Sequence, residues 1–130
     1  MATRIGGHLP DDYGLSLTVI VPTASETNPI NTGDTLTLAT TGSYHAAKAA
    51  AGAAVQLIAK HPVSDPYTPL GVHAFGFSRV SKVKFSGTAP TIGASVEADG
   101  EGGVRTAAAA NGTYVLFVNA AGGFAEIAFP

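Results

Sequence analysis

Apolar residues in this chain fall in short runs between turn-forming ones, and most of the runs have a period of two. Leu15, Leu17, Val19 and Val21 alternate with Ser16, Thr18 and Ile20, which predicts a strand with a mostly apolar face. After the turn-forming Asn31, Thr32, Gly33 and Asp34, Leu36 and Leu38 alternate with Thr35 and Thr37 in a second strand. Val55, Leu57 and Ala59 predict a third, ended by Pro62. Farther on, Val72, Ala74 and Gly76 share one parity while His73, Phe75 and Phe77 share the other, and Val80, Lys82 and Lys84 follow in register. Residues 70–85 therefore predict two strands joined by a bend near Arg79.

Residues 95–97 and 103–106 flank Asp99, Gly100, Glu101 and Gly102, and Asp-Gly between extended segments is a strong hairpin signal. Residues 114–118 and 124–129 bracket a loop at 119–123 and predict a C-terminal hairpin, with Val115, Phe117, Ile127 and Phe129 on alternate positions of its strands. Residues 44–51, YHAAKAAA, have good helix composition, with Thr41 or Ser43 as N-cap and Gly52 as a stop. They predict one short helix of about two turns, although an alanine-rich loop has the same composition. With Gly and Pro at close intervals elsewhere, the fold expected is mainly β, a small β-sandwich or barrel. An N-terminal arm carrying the first strand occupies residues 1–30, and a β-rich core domain occupies 31–130.

Composition narrows the class. Of 130 residues, 45% are hydrophobic but only 12% are charged, about half the share of an ordinary soluble domain. So bare a surface predicts burial against other subunits, hence a homo-oligomer. Lys and Arg number 7 against 9 Asp and Glu, a net charge of −2, so the chain as a whole is not built to hold nucleic acid. Absent cysteine excludes a disulfide framework, cysteine-based metal sites and thiol catalysis. The first twelve residues hold Arg4 but no apolar stretch of signal-peptide length. The apolar segment 46–59 is interrupted by Lys48, Gly52 and Gln56 and is too short to span a bilayer. A soluble product made in a cytoplasm, with no membrane partner, is expected.

Candidate chemistry is sparse. Glu97, Asp99 and Glu101 alternate, so on an extended chain they share a face and offer oxygens to Ca²⁺; the spacing is not that of an EF-hand, and a solvated acidic turn is the preferred reading. His45, His61 and His73 with Asp65 match no compact zinc-ligand spacing. Ser43 and Ser64 lack the context of an activated nucleophile, and the DGEGG cluster lacks the spacing of a phosphate cradle. No catalytic set, metal or cofactor is assigned, and the chain is not expected to be an enzyme. Arg79, Lys82 and Lys84 form the one basic concentration, interleaved with Phe75, Phe77 and Phe85. Such a segment suits either a nucleic-acid platform or a rim that pairs with acidic residues of a protein neighbour, and the acidic total favours the rim.

The run 88–130, TAPTIGASVEADGEGGVRTAAAANGTYVLFVNAAGGFAEIAFP, has a glycine-introduced strand at 93–97, a hairpin partner at 103–106, an Ala/Gly-rich stretch at 107–112 and two last strands at 114–129. In this style it resembles the small decoration, or cement, proteins of tailed-bacteriophage heads. The phrases GDTLTL at 33–38 and PLGVHA at 69–74 look like the turn-plus-strand units of such proteins, so the resemblance covers about two thirds of the chain. Its motifs are compositional, are shared with phage tail and fibre proteins, and fix no functional residue.

The resemblance implies a non-enzymatic virion protein on the outer surface of an icosahedral capsid. It would clamp neighbouring subunits of the major capsid protein and assemble with itself as a trimer at local three-fold positions. The rival reading is a carbohydrate-binding or adhesive β-module of a phage tail or fibre, for which Tyr13, Tyr44 and Tyr67 supply loop aromatics. Partner contacts are expected from Arg4, Ile5, Leu9 and Tyr13 on the arm and from Arg79, Lys82 and Lys84 on the basic segment. The arm residues have no periodic neighbours to pack against, so attachment to the shell and not folding is the role expected of them.

Overall fold

A computed structural model describes residues 16–74 and 80–128. Among the described residues the fold is all β, with ten strands: β1 (Ser16–Val19), β2 (Thr35–Leu38), β3 (Ala46–Lys48), β4 (Leu57–Ala59), β5 (Leu70–Ala74), β6 (Val80–Lys84), β7 (Val96–Ala98), β8 (Val104–Thr106), β9 (Tyr114–Asn119) and β10 (Phe124–Ala128). They form a five-stranded sheet in the order β1-β5-β4-β2-β3, a three-stranded sheet β6-β10-β9, and the hairpin β7-β8. Every pair within these sheets is antiparallel.

The five-stranded sheet curls into a small barrel because its two edges meet at one end. Just past β1, Ile20 donates its N–H to Tyr44 O (2.9 Å) and accepts at its own carbonyl from Ala46 N–H (2.9 Å), a parallel bridge that joins β1 to β3. Val19, Leu36, Ala46, Leu57, Ala59, Leu70, Val72 and Ala74 fill the interior, with Val21, Ala24, Ile30 and Val63 closing it from the loops. Residues 16–30 are thus packed on the core by strand pairing and by three buried side chains beyond the strand.

A second core lies outside the barrel. Val55, Ile58, Val83, Val96, Val104, Val115, Ala125 and Ile127 cluster there, drawing on β4, β6, β7, β8, β9 and β10. Strand β4 serves both cores: Leu57 and Ala59 point into the barrel, Ile58 points out of it, and all three are buried. A strand buried on both faces reads as a continuous apolar run, which is why Leu57-Ile58-Ala59 shows no alternation.

The sheets are tied together at Asp34, whose side chain is only 1% exposed. Oδ2 accepts the Asn31 N–H (2.8 Å) and lies 3.7 Å from Lys48 Nζ at the end of β3. Oδ1 accepts no hydrogen bond and faces Lys84 Nζ of β6 at 3.4 Å. Next in sequence, Thr35 donates its N–H to Gly102 O (2.9 Å) and its hydroxyl to Gly103 O (3.0 Å), which docks the β7-β8 hairpin on the barrel. Gly102, at φ +89°, is packed against the carboxylate so closely that a Cβ there would overlap Asp34 Oδ1.

Several expectations are corrected. The helix over 44–51 does not form; Ala46–Lys48 is the edge strand β3, paired with Leu36, Thr37 and Leu38. Two turns of helix are too short to stand alone, and an all-alanine face has little transfer energy with which to dock. Pairing with β2 and burial of Ala46 and Ala49 outweigh alanine's helix propensity, and Tyr44 turns the chain with a left-handed φ of 57°. Of the two leucines that share a parity on β2, Leu36 is buried and Leu38 is exposed.

The 99–102 turn is longer than a two-residue Asp-Gly loop. Ala98 pairs with Val104, and Asp99 Oδ1 accepts the N–H groups of Glu101 (2.7 Å) and Gly103 (3.1 Å) to hold a five-residue loop. In the C-terminal hairpin, Val115 and Ile127 pair and are buried as expected. A bulge between Glu126 and Ile127 then shifts the register, so Phe117 pairs with Glu126 while Val118 takes the core side opposite Ala125. Phe129 lies outside the described residues.

Replacing Asp34 by Ala is expected to lower unfolding stability by about 2–3 kcal/mol, since it uncaps Asn31 and removes the shared partner of two lysines. Gly102→Ala is expected to cost about 2–4 kcal/mol, from a left-handed φ combined with a steric overlap. Urea titrations of the two variants measure both; wild-type midpoints would mean that Asp34 does not tie the sheets together.

Candidate functional site

A cleft of about 890 Å³ opens between the outer face of the barrel and strand β6. Ile58 and Lys60 from the β4 region and His73 of β5 form one wall, and Ser81, Lys82, Val83 and Lys84 of β6 form the other. The Thr32-Gly33 turn and the Gly122-Gly123-Phe124 segment close its ends. Parity explains the lining: on β6, Ser81 and Val83 turn inward and are buried, while Lys82 and Lys84 turn outward and are exposed.

The floor and the rim differ in chemistry. Ser81 is 5% exposed, and its hydroxyl has no hydrogen-bond partner. The buried His73 Nδ1 has none either. Polar atoms so placed are uncommon, because an unpaired buried donor or acceptor forfeits its hydration. Around them the rim carries three ammonium groups. Lys60 Nζ donates to Ser16 Oγ (3.0 Å), Lys82 Nζ stands 4.2 Å over the Phe124 ring, and Lys84 Nζ faces Asp34. None of the described lining residues is acidic. The cleft is therefore a cationic site with an apolar floor and two unanswered polar atoms.

Of the residues expected to contact partners, Lys82 and Lys84 are brought together on this rim. Arg4, Ile5, Leu9, Tyr13 and Arg79 lie outside the described residues, as do Phe75 and Phe77. Lys60, His73, Ser81 and Phe124 join the site without having been expected there. One signal was present for Ser81: it shares parity with Val83 and Phe85, so it is a hydroxyl on an otherwise apolar face.

The other candidate groups are dispersed. Glu97 accepts from Arg105 (Nε 2.8 Å, and 2.8 Å to Nη2), Asp99 caps its own loop, and Glu101 is exposed. His45 Nδ1 bonds Thr41 Oγ1 (2.7 Å). His61 Nε2 accepts the Gly71 N–H (3.0 Å), which requires that ring nitrogen to be unprotonated and leaves Nδ1–H to face Pro62 O (3.3 Å). Among the described residues no group of three or more His, Cys, Asp or Glu side chains gathers as for a metal ion. No protein-family model matches this chain, and neither does any curated protein.

Asp65, considered above with the histidines, instead builds a loop. Its Oδ1 accepts the N–H groups of Tyr67 (2.8 Å) and Thr68 (2.7 Å), and its Oδ2 accepts the Thr68 hydroxyl (2.7 Å). Tyr67 is thereby held 86% exposed. The Thr68 hydroxyl above all, and then the two N–H groups, hold the Asp65 carboxyl below its ordinary pKa. A depressed folded pKa stabilises the loop above the unfolded value of about 3.9, and that contribution is lost as pH falls through the folded value. Amide chemical shifts of Tyr67 and Thr68 are expected to stay native above the ordinary carboxylate range and to change together as the pH falls through the lowered folded value. In Asp65→Asn this acid transition should vanish.

Proposed function

We propose that the chain is a non-enzymatic virion protein that decorates the outer surface of a tailed-phage capsid and clamps neighbouring coat subunits. The observation that carries this reading is a line of exposed apolar side chains on the β9 edge of the second sheet. Tyr114 and Leu116 share one parity of β9, each 51% exposed. Gly93 donates its N–H to Val115 O (2.8 Å), which lays Ile92, 60% exposed, along the same edge. Three large apolar groups at one edge, on a chain with 12% charged residues, fit a surface that works when covered by protein.

Burial of each such side chain is worth roughly 1.5–3 kcal/mol before ordering costs, a modest sum for one subunit. Repetition through a trimer and over a shell makes it large, because linked contacts act together. Resistance of the shell to the pressure of packaged DNA would follow from many weak clamps and needs no catalytic group.

A second reading, an adhesive or carbohydrate-binding module, draws on Tyr67, a fully presented aromatic on a loop fixed by one carboxylate. The two readings are separated by paired variants. Ile92→Asp with Leu116→Asp is expected to reduce the oligomer to monomers and to abolish sedimentation with undecorated phage heads, with melting little changed because both positions are exposed. Tyr67→Ala is expected to leave head binding intact. Head binding unaffected by the double variant, together with glycan binding lost in Tyr67→Ala, would replace the capsid reading with the adhesive one.

A further inference from the structure

We propose that the cleft beside β6 is a docking site for acidic side chains of a partner protein, read by Lys60 and Lys82 at its rim and by Ser81 and His73 at its floor. The inference stands on the geometry of the cleft and does not depend on where the chain is displayed.

Charge complementarity selects the occupant. Asp34 is already shared by Lys48 and Lys84, and Glu126 of β10 stands opposite Lys82 in the β6-β10 register. Among the described residues Lys60 meets a serine hydroxyl and Lys82 an aromatic face, both weaker partners than a paired carboxylate. A carboxylate entering the cleft offers both ammonium groups a stronger, charge-assisted partner. At the floor, the unpartnered Ser81 hydroxyl can donate to an oxygen carried in with it, and His73 Nδ1 can accept or donate according to tautomer. An occupant that combines carboxylates with hydrogen-bonding groups answers every unpaired atom of the site.

Other occupants fit less well. A sugar needs an open aromatic face, but Lys82 Nζ covers the Phe124 ring at 4.2 Å and Phe117 stands at 6.3 Å between ring centroids. The edge of β6 away from β10 is already flanked by the Thr32-Gly33 turn, where a Cβ on Gly33 would stand in van der Waals contact with Lys82 O at 3.9 Å, which leaves no room for an added backbone strand there. Recognition is therefore by side chains.

The test is a titration of the ¹⁵N-labelled full chain with the peptide acetyl-Gly-Glu-Asn-Glu-Gly-amide, followed by amide chemical shifts. Saturable shifts centred on Ser81, Lys82 and Phe124 are expected, with affinity about tenfold above that of the same peptide carrying Gln for both Glu. Lys82→Gln and Lys60→Gln should each weaken binding about fivefold or more. Ser81→Ala should weaken it while leaving the melting temperature equal or higher, because it removes a hydroxyl the free protein does not satisfy. Lys84 is left unaltered because it also serves Asp34. Equal affinity for the Gln peptide, shifts centred on another face, or tighter binding of trigalacturonate or of octathymidylate would each overturn the proposal. So would sedimentation showing that Lys82→Glu dissociates copies of this chain from one another.

Discussion

The architecture turns on a carboxylate placed where three pieces of sheet meet. Asp34 stands just before β2 and caps the turn at Asn31 with one oxygen. The same group draws lysines from β3 and β6 toward it, and the β7-β8 hairpin closes over it through a glycine that has no side chain to spare. A buried ion pair adds little net stability beyond an apolar substitute, but it penalises arrangements that leave the charge unpaired. In a molecule whose strands are three to six residues long, that penalty helps to fix which sheet lies against which.

Apolar packing then follows from a shared wall. Because β4 contributes to the barrel with Leu57 and Ala59 and to the second core with Ile58, neither core is formed without it. Small side chains are a consequence of the same geometry. Ala46, Ala59 and Ala74 face the interior of a narrow five-stranded barrel, and Ala125 sits beneath the second sheet. The alanine content that suggests helix in the sequence is used here to bring sheet backbones close together.

Surface chemistry divides between the two sheets. The outward face of β6 and the neighbouring barrel wall hold three lysines around a cleft, while the β9 edge of the second sheet presents Ile92, Tyr114 and Leu116. One region is suited to an acidic neighbour and the other to an apolar one.

Local pattern determined much of this protein. The period of two around Val19, Leu36, Val72 and Ile127, with Gly and Pro between, was enough to specify a mainly β fold, hairpins within 95–106 and 114–129, and the basic character of the segment holding Lys82 and Lys84. Such features depend on a residue and its near neighbours, and the sequence states those directly. Tertiary structure alone decided the rest. Whether 46–48 became helix or strand depended on whether an edge of β2 was available to pair with it, and the facing of Phe117 depended on a bulge opposite it. The second use of Ile58, the convergence of Lys48 and Lys84 on Asp34, and the meeting of Lys60 and His73 with Ser81 all join residues from separate strands. Periodicity in one strand carries no information about which other strand will lie across from it, so those contacts became legible only once the chain had closed on itself.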